Sequence, residues 1–445
     1  MLAALNAEHR RVAITVSSGD SVSSMWPVDV ASSALAASVA RVTELQLSAR
    51  LSTRLVKTAD ALRPYVQRWE ALAATAMEPN VFYEPWQVLS ALQNLTDAPP
   101  LELLLVVDEA TEPPGLCAVF PLERSTSYRG LPLSSLRMWQ HKFLFLCTPL
   151  VSRNHAHGAL HCFLDWLATA EANCEVMSLQ GMRADGAFAD ALKQALDDRK
   201  RPHFEEERFD RALLEVDPAQ SSHAYLESAL SKKKTKEYRR LAQRLSERGD
   251  MRFERLHQAD AVQPWLEEFL SLEASGWKGR EGSAFASTEP DRRYFTEIVT
   301  QAHARGRLAL LALRLDGVAI AMKCNFVGSD GAWSFKIGFE EKYAKYSPGV
   351  LLELENIRSA LDERGESGSL NSGSTSASFP WMDSCAKPDH PMIDHLWRAN
   401  RAIGTCVIAG GGWRGQRVVR WLPILIKLKR QWLGARKNNP QETPS

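Results

Sequence analysis

The sequence predicts a mixed α/β protein with two successive lobes, on the grounds of its length, its composition and its alternating strand-like and helical segments. The 445 residues exceed the usual size of one domain and allow two or three, each with a sizeable core. Hydrophobic residues make up 45% of the chain and charged residues 24%, as in ordinary globular proteins. Lys and Arg number 54 and Asp and Glu 53, which argues against a general nucleic-acid coat protein.

The first lobe is predicted over residues 56–218, after a weakly periodic extension at 1–55 that is rich in Ser, Ala and Val. Apolar spacing and β-branched runs locate its elements. They are helices over Ala61–Ala76, 158–172 and 187–197, and strands over Leu101–Val107, Gly115–Leu122, Val176–Leu179 and Ala212–Val216.

The second lobe is predicted over residues 219–410, and it opens with one long helix, about Ser222–Arg248. Three strands then follow in hairpin order, with Asp316-Gly317 as the first turn. The predicted elements are strands over Met251–Leu256, Leu308–Leu315, Val318–Val327, Trp333–Phe339, Phe379–Asp383 and Thr405–Ala409, and helices over Val262–Leu272, Ser347–Leu361 and Pro391–Asn400.

A helix start after the third hairpin strand has features that suit a phosphate. Ser347 is a favourable N-cap, Pro348 fits the first helical position, and Gly349 allows a ligand to approach the backbone. The N-terminus of a helix offers free N–H groups and a partial positive charge to an anion. An ordinary capped helix would show the same three residues, so both interpretations stay open.

Trp277-Lys278-Gly279 is the clearest of several short segments that stand in a specific order in the second lobe. Arg305–Leu308, Leu313–Gly317 and Tyr343–Gly349 follow it. In this order the segments resemble the BioF2-like acetyltransferase domain family of the GNAT superfamily, and 82–86 is similar to the opening of that architecture. The resemblance covers roughly residues 60–410.

This resemblance implies tandem GNAT-like acyltransferase lobes and acyl transfer from acetyl-CoA or another acyl-CoA to an amine or hydroxyl. It also implies a small-molecule or glycan acceptor and a place in polysaccharide or cell-envelope biosynthesis. The residues that we expect to bind the donor are Lys345, Ser347, Gly349 and Val350; those expected at the acceptor are Trp277, Lys278 and Lys336.

Acyl transfer also requires a base for the acceptor and a proton for the departing thiolate. Asp383 follows an apolar β-like run near the expected cleft, so it is our candidate base or ammonium anchor, and a turn aspartate is the alternative. Tyr343 and Tyr346 are candidate proton donors, or they pack the loop. Cys385 with His390 is a weaker candidate for a thiol nucleophile.

Two basic segments leave other functions open. Residues 232–240 form a charge cluster that fits a solvated helix face, or contact with phosphates, a glycan or tRNA. The tail at 411–445 has eight Lys and Arg from Trp413 onward, against one acidic residue, and interleaved apolar residues that suit peripheral membrane contact. The rival functions are a FemABX-like aminoacyl-tRNA-dependent transferase and a non-catalytic GNAT-like scaffold.

The remaining signals concern compartment and metals. Seven scattered cysteines without a Cys-x-x-Cys pair, and no long apolar run, predict a cytoplasmic protein without a disulfide framework. Two groups of possible ligands lack standard zinc spacing, so no metal is predicted; they are His155, His157 and His161, and Cys385, His390 and His395.

Overall fold

The strands that the structure describes join in a single mixed sheet. The structure is a computed structural model that describes residues 50–215, 220–257, 260–328, 331–362, 381–384 and 396–438. The sheet comprises β1 Leu51–Val56, β2 Glu102–Asp108, β3 Gly115–Ser125, β4 Ser135–Met138, β5 Leu150–Val151, β6 Val176–Arg183, β7 His203–Glu215, β8 Met251–Arg255, β9 Leu308–Leu315, β10 Val318–Val327, β11 Ala332–Phe339, β12 Trp381–Ser384 and β13 Ala399–Ala409.

Helices cover both faces of this sheet. They are α1 Ala59–Leu62, α2 Val66–Thr75, α3 Pro85–Asn94, α4 Ala156–Trp166, α5 Ala187–Asp198, α6 Ser222–Ala229, α7 Lys232–Ser246, α8 Val262–Ser275, α9 Trp277–Arg280, α10 Glu289–Ala304, α11 Pro348–Asp362 and α12 Gly412–Asn438. Short 3-10 turns precede several of them, including one at Glu341–Tyr346 before α11.

The sheet consists of two halves with the same arrangement of strands, one half in each lobe. From each outer edge inward, five strands follow in chain order, and a strand of the other lobe comes next. The order is β1-β2-β3-β4-β6-β13-β7-β12-β11-β10-β9-β8, with β5 beside β3. Each lobe contains an antiparallel group that ends in one parallel pair, β4–β6 or β11–β12, and the other pairs are antiparallel. At the centre, β13 pairs with β6 and β7 pairs with β12, so each lobe lends its last strand to the other. The predicted tandem α/β architecture is confirmed.

Aromatic side chains fill the junction between the lobes. The Phe82 ring lies 5.1 Å from that of Trp333, and the Trp86 ring lies 5.8 Å from that of Phe326. The Tyr294 hydroxyl donates to Gln87 Oε1 over 3.1 Å, which ties α10 to α3. Burial of so much apolar surface at one junction holds the two lobes together.

The structure differs from the sequence prediction at several element ends. The helix predicted over 222–248 is two helices, because Leu230 has extended backbone and Ser231 caps α7 by accepting the Lys234 N–H. The residues at 399–400 belong to β13 and pair with β7, not with the helix predicted over 391–400, of which 391–395 lie outside the described residues. Strand β1 begins inside the predicted N-terminal extension.

Candidate functional site

Strand β11 extends beyond its last described pair with β12, in the middle of the sheet. The two strands pair in parallel at three positions, the last being Ser334 with Ser384, and β11 then continues to Phe339. A β-bulge lies at the same point, because Cys324 pairs with Lys336 and Asn325 with Ser334, which leaves Phe335 as the extra residue. A bulge bends its strand and redirects the side chain. We call the region between 335–339 and the end of β12 the C-lobe gap.

Positively charged side chains surround the C-lobe gap. Arg211 lies two residues beyond Leu213, the last β7 residue that pairs with β12, and its guanidinium donates to the Phe145 carbonyl over 2.8 Å. Arg401 of β13 stands directly opposite Arg211 in the sheet, and the two residues are only 4% and 9% exposed. The two arginines are therefore buried cross-strand neighbours in the middle of the sheet.

Lys336 brings a third cation to the junction of the lobes. Its ammonium lies 5.4 Å from the centre of the Phe143 ring and 5.0 Å from that of Phe285. Cation–π contacts of this kind are attractive and help to hold the lysine in place. The predicted acceptor contact of Lys336 therefore falls at the gap.

A buried polar network supports the sheet where the strands separate. The Lys323 ammonium donates to Ser334 Oγ and to Glu353 Oε2, both over 2.6 Å. The other carboxylate oxygen, Glu353 Oε1, accepts from Asn356 over 3.0 Å and from the Trp397 indole over 3.2 Å. Because Lys323 and Glu353 are almost fully buried, each charge depends on the other. The network fixes α11 against β10 and β11 at the gap.

The Trp277-Lys278-Gly279 signature forms the turn α9 and holds the loop that follows β11. A Cβ on Gly279 would lie 1.8 Å from the Ala274 carbonyl oxygen, so only glycine fits without backbone movement. The Trp277 N–H donates to Glu341 Oε1 over 2.8 Å, and Arg280 donates to the same oxygen over 2.9 Å. These bonds lower the pKa of the Glu341 carboxyl, chiefly through Arg280.

Lys278 binds protein groups on both sides. Its ammonium donates to the Ile337 carbonyl over 2.6 Å and lies 3.3 Å from Glu273 Oε1, while Glu273 Oε2 accepts the Phe285 N–H. Lys278 thus links α8 to the part of β11 that borders the gap. Its predicted contact with the acceptor stays a prediction, as does that of Trp277, whose ring is 46% exposed.

The predicted proton donors lie in the 3-10 turn between β11 and α11. Tyr343 and Tyr346 are half-buried and pack against a cluster that includes Leu351. The ammonium groups of Lys342 and Lys345 lie 5.1 Å from the ring centres of Tyr343 and Tyr346, respectively. The turn therefore presents two exposed cations and two partly accessible hydroxyls at the start of α11.

The first turn of α11 has fewer free donors than the sequence suggested. Ser347 has left-handed backbone, with φ 53° and ψ 51°, and its carbonyl accepts the N–H groups of Val350 and Leu351. Pro348 has no N–H. Of the N–H groups in the first turn, the one of Gly349 takes no part in these bonds. A pyrophosphate here would therefore need side-chain donors as well, for which Lys345 and the Ser347 hydroxyl are the nearest candidates in sequence.

The same turn packs closely on the strand. A Cβ on Gly349 would lie 3.6 Å from Ile337 Cδ1 and from Phe339 Cδ1, which is ordinary contact. Val350 packs against the cluster of Leu354 beneath α11. Gly349 is therefore replaceable by alanine but leaves little space for a larger side chain.

Asp383, the candidate base, lies in β12 with its backbone between Trp333 of β11 and Leu213 of β7, next to the gap. Its role stays a prediction.

Cys385, His390 and His395 lie outside the described residues. Sequence reasoning missed the arginine pair and the Lys323–Glu353 pair, because the partners are 190 and 30 residues apart along the chain.

A family model matches part of the C-terminal lobe. Residues 232–369 match the family described as an acetyltransferase (GNAT) domain. This segment of the chain is similar to GNAT acetyltransferase domains. The match contains strand β11, the signature at 277–279 and helix α11, whereas Arg211, Asp383 and Arg401 lie outside it.

Solved structures similar to this chain have low sequence identity. FemX shares 9% identity over 80% of this chain and 96% of its own, with a TM-score of 0.49. The C-terminal domain of a putative lysylphosphatidylglycerol synthetase from Agrobacterium fabrum shares 12% identity over 79% of this chain and 98% of its own, with a TM-score of 0.43. A tandem GNAT protein from the clavulanic acid biosynthesis pathway shares 14% identity over 81% of this chain and 99% of its own, with a TM-score of 0.39. No curated protein matches the chain.

Within the described ranges, each helix is too short or too polar to cross a bilayer.

Proposed function

We propose that the protein is an acyl-CoA-dependent N- or O-acyltransferase that binds its donor in the C-lobe gap. The extension of β11 beyond Ser334, its last described pair with β12, supports this proposal. We propose that an extended ligand pairs with the edge of β11 beyond that point. The amide-containing arm of an acyl-CoA can pair with such an edge as an additional strand would.

The reaction joins the acceptor nitrogen or oxygen to the acyl carbon and breaks the bond from that carbon to sulfur. The acceptor loses a proton and the CoA thiolate gains one. Asp383 is our candidate for the first proton and Tyr343 or Tyr346 for the second. The bulge residue Phe335 and the buried network at Ser334 hold β11 in the bent course that opens the gap.

Arg211, Arg401 and Lys336 suggest what the acceptor is like. Three cations at one junction favour a small molecule or glycan that bears a carboxylate or phosphate beside its amine or hydroxyl. Polysaccharide and envelope precursors contain such groups, and a role in their biosynthesis is the pathway we propose.

Binding of CoA tests the donor assignment. We expect acetyl-CoA to raise the melting temperature and Lys345→Glu to weaken its binding about tenfold or more, because the substitution reverses a charge beside the start of α11. Lys342→Glu, in the same 3-10 turn and also exposed, is the matched control with a smaller expected effect. No thermal shift with acetyl-CoA or a longer acyl-CoA would contradict the assignment.

The aminoacyl-tRNA alternative has one observation in its favour. Helix α7 presents an exposed basic face with Lys232, Lys233, Lys236, Arg239 and Arg240. Salt-sensitive tRNA binding that is lost on charge reversal at Lys233 and Lys236, together with no CoA binding, would favour this alternative. Binding of neither donor would favour the scaffold.

Helix α12 bears on the proposed membrane contact of the tail. Trp413 and Trp421 are among the most exposed large apolar side chains of the described residues, and Val419 and Leu422 on another face pack against the N-terminal lobe. We propose that the exposed face meets anionic lipid surfaces. Cosedimentation with phosphatidylserine vesicles should fall several-fold in a Trp413→Ala/Trp421→Ala variant, whereas Trp277→Ala should bind as the parent does.

A further inference from the structure

Two helices of the N-terminal lobe bring a pair of histidines and a carboxylate together. His157 and His161 are one turn apart near the start of α4, so their rings share a face, with centres 4.2 Å apart. Asp198 is the last residue of α5, which packs beside α4. The site is distant in sequence from the GNAT domain, which begins at residue 232.

The three ligand atoms have the spacing of a metal site. Asp198 Oδ2 lies 3.4 Å from His157 Nε2 and 3.4 Å from His161 Nε2, and all three atoms lie within 4.8 Å of one another. A tetrahedral zinc ion with bonds of about 2.0–2.1 Å separates its ligand atoms by roughly 3.4 Å. The two measured separations therefore equal the edge of such a tetrahedron.

The buried histidine supplies a second, independent observation. His161 is 7% exposed, and its Nε2 atom makes no well-formed hydrogen bond among the described residues, although Asp198 Oδ2 lies 3.4 Å away. Buried polar atoms are normally satisfied. A metal ion between Nε2 and the carboxylate would satisfy this atom.

The surroundings suit a divalent cation. Arg199, a positive side chain whose charge acts on His161, is engaged by Asp165 over 2.5 Å. His157 and Asp198 are partly exposed, which gives an ion access from solvent. His155, although close in sequence, turns away and meets Ser152 and Asp108 instead.

We propose that His157, His161 and Asp198 form a binding site for Zn²⁺ or a similar divalent transition-metal ion, with water in the fourth position. Two imidazoles and one carboxylate are a ligand set that zinc accepts. The ion would join α4 to α5 and so stabilise the N-terminal lobe. The histidines alone give no zinc pattern, because the third ligand lies 37 residues further along the chain.

Metal titration of the chelator-treated full-length protein tests this site. We expect one equivalent of Zn²⁺ to bind and to raise the melting temperature, with at least tenfold weaker binding in Asp198→Asn and in His157→Gln. Both substituted side chains are partly exposed, so the variants should fold. His155→Ala is the matched control and should bind as the parent does.

Cobalt substitution separates this site from the cysteines, because the cysteines of the described residues are free thiols that also bind metals. Bound Co²⁺ should show d–d bands without a sulfur charge-transfer band, and Asp198→Asn should lose them. The proposal is overturned if no stoichiometric ion binds, if both variants bind as tightly as the parent, or if the cobalt spectrum shows thiolate ligation.

Discussion

The two lobes share one strand framework but differ where their parallel strands separate. In the N-terminal lobe, the last β4–β6 pair joins Arg137 to Ser178. Beyond it, residues 139–149 turn back and occupy the position next to β6. The Cys147 N–H donates to the Gly181 carbonyl over 2.9 Å, and the Arg183 N–H donates to Thr148 Oγ1 over 2.9 Å. We call 139–149 the N-lobe insert.

The C-terminal lobe has no such filling among the residues that the structure describes. There, no comparable backbone bonds reach the side of β11 beyond Ser334, and Arg211 and Lys336 border that region instead. In the N-terminal lobe the chain's own insert lies beside β6, whereas in our proposal the corresponding side of β11 receives the acyl donor.

The buried network beneath the C-lobe gap should show the largest effect on stability. Glu353→Ala removes the carboxylate that faces Lys323 and leaves a buried ammonium without its partner. We expect the free energy of unfolding to fall by about 3–5 kcal/mol. Chemical denaturation measures this, with Glu355→Ala as the matched control on the same helix, where the pair with Arg358 is partly exposed and worth about 0.5 kcal/mol. Equal losses would show that the network does not support the gap.

A smaller effect is expected where α9 holds the loop after β11. Gly279→Ala places a methyl group against the Ala274 carbonyl and should cost about 1–3 kcal/mol as α9 shifts. Gly276→Ala, three residues earlier, adds a methyl at ordinary contact distance from Glu341 and should be nearly neutral. If Gly279→Ala were as stable as the parent, the close approach of α9 to α8 would be wrong.

The sequence predicts the elements of this fold better than their connections. Hairpin strands β9, β10 and β11 follow from alternating apolar runs around Asp316-Gly317, because such patterns are local. The exchange of β7 and β13 between lobes does not follow, because nothing near Ala212 or Thr405 records which strand lies alongside. In the sequence, Arg211 has the pattern of an ordinary strand arginine. The pairing of β13 with β7 shows that Arg401 lies opposite it.

Site residues divide in the same way. The 277–279 signature is visible in the sequence, but its geometry shows that it binds Glu341, Ile337 and its own helix. Ser347 marks the helix start correctly, yet its left-handed backbone and the missing N–H of Pro348 reduce the donors there. Backbone conformation of this kind has no clear sequence signal outside glycine and asparagine.

The pH dependence of stability reports on the N-lobe insert. His141 packs against Trp139, Phe143 and Tyr294, and burial lowers the pKa of its imidazole to about 3. Between pH 6.5 and 3 the unfolded chain binds a proton here that the folded chain does not. Lowering the pH from 6.5 to 3 should therefore lower the free energy of unfolding, by at most about 1.4 kcal/mol per pH unit from this group.

Urea denaturation between pH 7 and 5 measures this slope. His141→Gln should be flatter than the parent, while His223→Gln, at an exposed position, should keep the parent slope. Equal slopes for all three proteins would mean that His141 is accessible to protons and that the insert does not seal the junction.

Hydrogen exchange of the full chain with and without acetyl-CoA tests the difference between the lobes most directly. Donor binding in the C-lobe gap predicts slower exchange of amides in 335–350, and unchanged exchange in the N-lobe insert at 139–149. Protection confined to the N-terminal lobe, or no protection in either segment at saturating acetyl-CoA, would contradict the assignment of the C-lobe gap as the acyl-donor site.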